Sequence, residues 1–112
     1  MKLSTRDEGD VKIIDVHGDI MIGQGDKLLR DVVHGLLSQG HKNILINLAK
    51  VPYMDSAGIG EIIRCHTSAT KQGATVKLLK LTKKIKEVLT ITRLITVLDH
   101  FDDEDEAIKS FK

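Results

Sequence analysis

The chain has 112 residues, 41% of them apolar and 29% charged, with a formal net charge of +1. That length suits one domain, residues 1–112, around one core. The near-neutral charge gives no general pull toward nucleic acid or anionic membrane. One tyrosine and two phenylalanines leave no stacking platform for single-stranded nucleic acid, so the core has to be aliphatic.

Residues 3–6 suit a short first strand, and Glu8-Gly9-Asp10 a hairpin turn into the run 11–17. Residues 20–25 read as a loop. Leu28, Leu29, Val32, Val33, Leu36 and Leu37 then keep the three-and-four spacing of a helix with one buried face, stopped by Gly40. The run 44–48 is too short for a helix and predicts a buried strand, with Pro52 turning the chain beyond it. Ile59, Ile62, Ile63, His66 and Ala69 share a face of a second helix that ends near Gln72-Gly73. Residues 75–79 predict a strand, Thr82 caps a short helix with Ile85, Val88 and Leu89 inward, 94–98 predict a last strand, and 103–111 a last helix. That helix has acids at its start and Lys109 and Lys112 near its end, as its dipole prefers.

Two strands followed by alternating helix and strand predict an α/β fold: a mostly parallel sheet of four to five strands, an N-terminal antiparallel hairpin strand, and four helices. Binding sites in such sheets lie beyond the carboxyl ends of the strands. Both Ser56 and the loop 19–25 fall there if the second strand runs parallel to the third.

Cys65 stands alone, so there is no disulfide framework and a reducing compartment is expected. The first residues carry no apolar run suited to a signal peptide, and no stretch approaches the ~20 apolar residues of a membrane span. A cytoplasmic location is the expectation. Lys77, Lys80, Lys83, Lys84, Lys86 and Arg93 crowd one region, and Asp99, Asp102, Asp103, Glu104, Asp105 and Glu106 the next. The simplest reading is a solvated basic helix face followed by an acid-rich helix start; a surface that steers a partner is the alternative.

Asp55-Ser56 sits on a strand-to-helix turn, where unpartnered backbone N–H groups favour negative charge and tolerate a phosphate. Either residue could simply cap the helix. A cap does not explain Gly58 and Gly60, each costing ~1 kcal/mol in helix propensity; missing side chains there would let another protein approach the hydroxyl. A serine nucleophile is disfavoured, because Met54 stands where a nucleophile elbow needs glycine and no histidine has a triad context. His66 falls on an apolar face and reads as a satisfied core histidine. His17, His34, His41 and His100 lack metal-ligand spacing. Cys65 reads as a small hydrophobe. Gly23 and Gly25 form only part of a phosphate loop. No catalytic residue, metal or cofactor is expected.

The segment Tyr53-Met54-Asp55-Ser56-Ala57-Gly58-Ile59-Gly60 resembles the Asp-Ser-x-Gly phosphorylation motif of bacterial anti-sigma-factor antagonists, small STAS-domain proteins. Residues 11–20, 43–48 and 77–79 resemble that family's strands, so the similarity spans essentially the whole chain. Met21 departs from it, standing where the family usually has an acidic residue that takes part in binding the kinase partner. The resemblance implies that Ser56 is phosphorylated and that Asp19, Met21, Asp55, Ser56, Ala57, Gly58 and Gly60 meet the partner. It implies an anti-sigma factor of the histidine-kinase-like ATPase type as that partner, and a serine phosphatase that resets the switch. Two other readings stay open: a non-switching STAS subunit of a transport or stress-signalling assembly, and a small enzyme.

Overall fold

The computed structural model describes residues 1–112. Strands β1 (Lys2–Glu8) and β2 (Val11–His17) pair antiparallel, and Glu8 faces Val11 across a two-residue turn. Gly9 opens that turn at φ +60°, a value costly for any residue with a side chain. Helix α1 (Gly25–Ser38), strand β3 (Asn43–Lys50), helix α2 (Ser56–Lys71) and strand β4 (Thr75–Leu79) follow. Helix α3 (Lys83–Ile91), a 3-10 turn (Leu94–Thr96), strand β5 (His100–Phe101) and helix α4 (Glu104–Lys109) complete the chain. The sheet order is β1-β2-β3-β4-β5, with every pair after the hairpin parallel. The expected architecture is therefore present, with five strands and four α-helices.

Alternation along the strands sends neighbours to opposite faces. Ile14 and Val16, Ile44 and Ile46, and Val76 and Leu78 pack with Leu29 and Val33 of α1, Ile62, Cys65 and Ala69 of α2, and Ile85 and Leu89 of α3. Val11, Ile13, Leu45 and Leu79 form a smaller cluster with Ala107 of α4, flanked by Phe101, Ile108 and Phe111. No helix is long and apolar enough to cross a membrane.

The expected last strand at 94–98 is absent. Arg93 enters a left-handed conformation (φ 63°), the chain coils through the 3-10 turn, and only Leu98 is buried while Val97 is 52% exposed. The strand that completes the sheet is His100–Phe101, pairing with Leu78 and Leu79. Thr82 occupies the cap position of α3, but its hydroxyl donates to the Val51 carbonyl (3.0 Å) instead of capping. The last helix is shorter than 103–111: Asp103 caps it by accepting from Glu106 N–H (3.0 Å), and Ser110 ends it.

Lys77 does not belong to a solvated face. It is 9% exposed, its Nζ donates to Ser110 O (3.0 Å) and Oγ (2.9 Å), and the ammonium lies 4.8 Å from the Phe111 ring centroid. Arg6 ties β1 to β2 and α4 through Asp15 (2.7 Å) and Glu104 (2.6 Å), holding both carboxyls below the usual carboxylate range.

Candidate functional site

Parallel pairing of β2 with β3 brings two loops together at the carboxyl end of the sheet. Ile20 forms an isolated parallel bridge with Met54: its N–H donates to Tyr53 O (3.1 Å), and its carbonyl accepts from Asp55 N–H (3.3 Å). The Asp55 backbone is extended (φ −86°, ψ −177°), which aims its carboxylate back over the first turn of α2. One oxygen accepts from Gly58 N–H (2.9 Å) and the other from Ile22 N–H (3.0 Å). These bonds, the Ile22 one first, hold the Asp55 carboxyl below its ordinary range, so it is charged at neutral pH. Asp55 is thus both the cap and a tie to the neighbouring loop.

Ser56 is the first residue of α2 and is exposed. Asp19 and Met21 are exposed on the adjoining loop, Met21 by 43%, while Ala57 and Gly60 are half-buried. The expected residues therefore share one end of the sheet. Gly58 has a different reason for being glycine from the one its spacing suggested. It is buried, and a Cβ there would lie 2.3 Å from the Ile20 carbonyl oxygen. It makes room for the Ile20 backbone inside the molecule. Gly60 meets nothing within 4 Å of a virtual Cβ.

Sequence reasoning missed three contributors. Ile22, 76% exposed, carries the N–H that Asp55 binds, and Ile20 is the backbone that Gly58 accommodates. Tyr53, 38% exposed, lies under the Lys84 ammonium, 5.4 Å from the ring centroid. Only knowledge of the Ile20–Met54 bridge could have linked the first two to the motif.

Behind the site, α2 is fixed to α1 by a buried acid. Glu61, 1% exposed, places Oε1 2.7 Å from both Nε and Nη2 of Arg30. Cys65 follows one turn later with Sγ 3.8 Å from Glu61 Oε2; burial, then the Glu61 charge, pushes the thiol up to about 12. His66 is not the satisfied core histidine expected: it is half-buried and its Nδ1 is enclosed without a partner. No group of three or more His, Cys, Asp or Glu side chains is placed to hold a metal ion.

The order of elements, the hairpin strand and the Asp55–Ser56 turn can be set against known proteins. The STAS domain model matches residues 2–107. The chain belongs to the STAS domain family. A relative within it is the anti-sigma-B factor antagonist of Bacillus subtilis, 30% identical over 94 residues that cover 84% of each chain. Among solved structures, a candidate anti-sigma factor antagonist from Thermotoga maritima superposes with a TM-score of 0.89 at 24% identity, covering 96% of this chain and 92% of that one. The Bacillus cell fate determinant SpoIIAA in its phosphorylated form superposes with a TM-score of 0.75 at 18% identity, covering 99% and 100%. At these identities the two structures speak for the STAS fold.

Proposed function

We propose that this STAS protein is a cytoplasmic anti-sigma factor antagonist that works by binding, not catalysis, and that phosphate on Ser56 switches the binding off. The observation that carries the reading is the exposure of Ser56 in the first turn of α2, beside an ionised, doubly hydrogen-bonded Asp55. The partner is an anti-sigma factor of the histidine-kinase-like ATPase type, which phosphorylates Ser56; a serine phosphatase reverses the step. Any ATP belongs to the partner.

The physics of the switch is local. Phosphate adds about −1.5 to −2 charges at neutral pH. At a helix start the added charge meets a favourable dipole, so the fold tolerates it. In a contact closed to water the same charge, next to the Asp55 carboxylate, is repelled and costly to desolvate. The bound partner is lost while the domain keeps its shape.

Intact-mass analysis after incubation with ATP and host cytosolic extract should show one phosphate on the wild type and none on Ser56→Ala. Because Asp55 and not Ser56 provides the cap, Ser56→Ala and Ser56→Asp should both melt within ~0.5 kcal/mol of wild type. Calorimetry should show Ser56→Ala binding the anti-sigma factor and Ser56→Asp binding at least tenfold more weakly, as one buried like-charge pair requires. Equal affinities for all three proteins would reject the charge switch and leave a non-switching STAS subunit.

A further inference from the structure

Helix α3 starts in a way that folding alone does not favour. Its first turn carries Lys83, Lys84 and Lys86, no acid, and no side-chain cap. Cations at the positive end of a helix oppose its dipole. Helix α4 obeys the rule: it starts with Glu104, Asp105 and Glu106 and has Lys109 in its last turn. None of the three lysines is within 4.0 Å of a carboxylate; the ion pairs of the molecule involve Arg6, Lys12, Arg30 and Arg64. Three cations are thus gathered with no carboxylate partner.

One of them, Lys84, stands beside the Ser56 turn. Lys84 reaches over Tyr53, which is exposed and two residues before Asp55, and it lines a narrow cleft with Met54, Ile59 and Val88. Seven residues on, and so on the same face of α3, is Ile91, 81% exposed. A shallow depression bounded by Lys83, Lys86, Glu87 and Thr90 surrounds it. The apolar groups Met21 and Ile22 are exposed on the opposite side of Ser56. The surface therefore carries the acids Asp55 and Asp19 and the apolar Met21 and Ile22 near the serine, and is basic along one margin.

We infer that the first turn of α3 and Ile91 extend the partner-binding surface, and that they receive a protein presenting carboxylates around an apolar side chain. This rests on the reading of the Ser56 turn as the partner contact. A net charge of +1, with Glu87 among the lysines, favours a shaped protein contact over a membrane or nucleic acid.

The test uses the full chain and the purified anti-sigma factors of its host, each assayed singly by stopped-flow association across a salt series. Lys83→Glu/Lys84→Glu/Lys86→Glu should associate with the binding partner at least ~tenfold more slowly at low salt, and its rate should lose the salt dependence of the wild type. Ile91→Ser should dissociate ~tenfold faster with little change in association. The triple variant should also melt higher, by roughly 3 °C, because acids suit that helix end; lost binding would then not be lost folding. Unchanged association with a partner that binds the wild type overturns the inference and leaves the Ser56 reading intact. Binding of phosphatidylglycerol vesicles by the wild type and not by the triple variant, with partner association unchanged, overturns it in favour of a lipid surface. If no anti-sigma factor binds the wild type, the Ser56 reading falls and this inference with it.

Discussion

Helices α2 and α3 begin at the carboxyl ends of neighbouring parallel strands, yet their first turns are built in opposite ways. At α2 an aspartate spends both oxygens on backbone N–H groups, one in its own helix and one across in the loop, and a buried glycine lets that loop press against the helix. At α3 the threonine in the cap position turns its hydroxyl to Val51, and three lysines face solvent. The first start serves the fold and happens to present a serine. The second departs from what the fold would prefer, and such departures mark places where a surface is used for something else.

The contrast can be broken most severely at Gly58. Gly58→Ala should cost about 3 kcal/mol, since either the Ile20 backbone or the start of α2 must move. A 112-residue domain would then melt roughly 12 °C lower by thermal scan. A melting temperature unchanged from wild type would mean that the approach of Ile20 to α2 is not tight in solution. Asp55→Ala should be milder. Its signature is faster amide exchange at Ile22 and Gly58 together, because one carboxylate holds both. Acid should do the same in the wild type. A carboxyl held below its unfolded value stabilises the fold above about pH 4 and loses that contribution as pH falls through the lowered value. Protection at Ile22, corrected for the intrinsic exchange rate, should therefore fall as pH drops through that lowered value in the wild type and stay flat in Asp55→Ala. The smallest effect sharpens the comparison from within α2. Gly60→Ala, two residues from Gly58 and in open space, should gain ~0.5–1 kcal/mol. Opposite signs at Gly58 and Gly60 in chemical denaturation would separate a packing glycine from one that packs against nothing.

Those two glycines also show where the sequence could be read and where it could not. Periodicity placed β2, α1, β3, α2 and β4, because each buries residues at a regular spacing, and glycines stop α1 and α2 while Pro52 turns the chain after β3. The run 94–98 has the β-branched residues of a strand, but its place in the sheet is taken by His100 and Phe101, a strand of two residues and so too short to show an alternating pattern. The motif around Ser56 was legible because its parts are adjacent. The role of Gly58 was not, since its neighbour Ile20 is 38 residues earlier and only the parallel sheet joins them. Lys77 read as part of a solvated face for the same reason, and nothing nearby in the chain marked Glu61 as buried. The groups that make their burial tolerable, Arg30 for one, Ser110 and the phenylalanine rings for the other, lie far away in the chain.

Ile20 is joined to the α2 start at several points: its N–H to Tyr53, its carbonyl to Asp55, and its backbone against Gly58. Mechanically this is a joint without a hinge. A push on Met21 or Ile22 reaches Ser56 with little give, and a modification at Ser56 has no soft element nearby to displace. Two chemical forms of such a protein would superimpose almost atom for atom. Under the proposed switch, a partner tells them apart by the charge on Ser56.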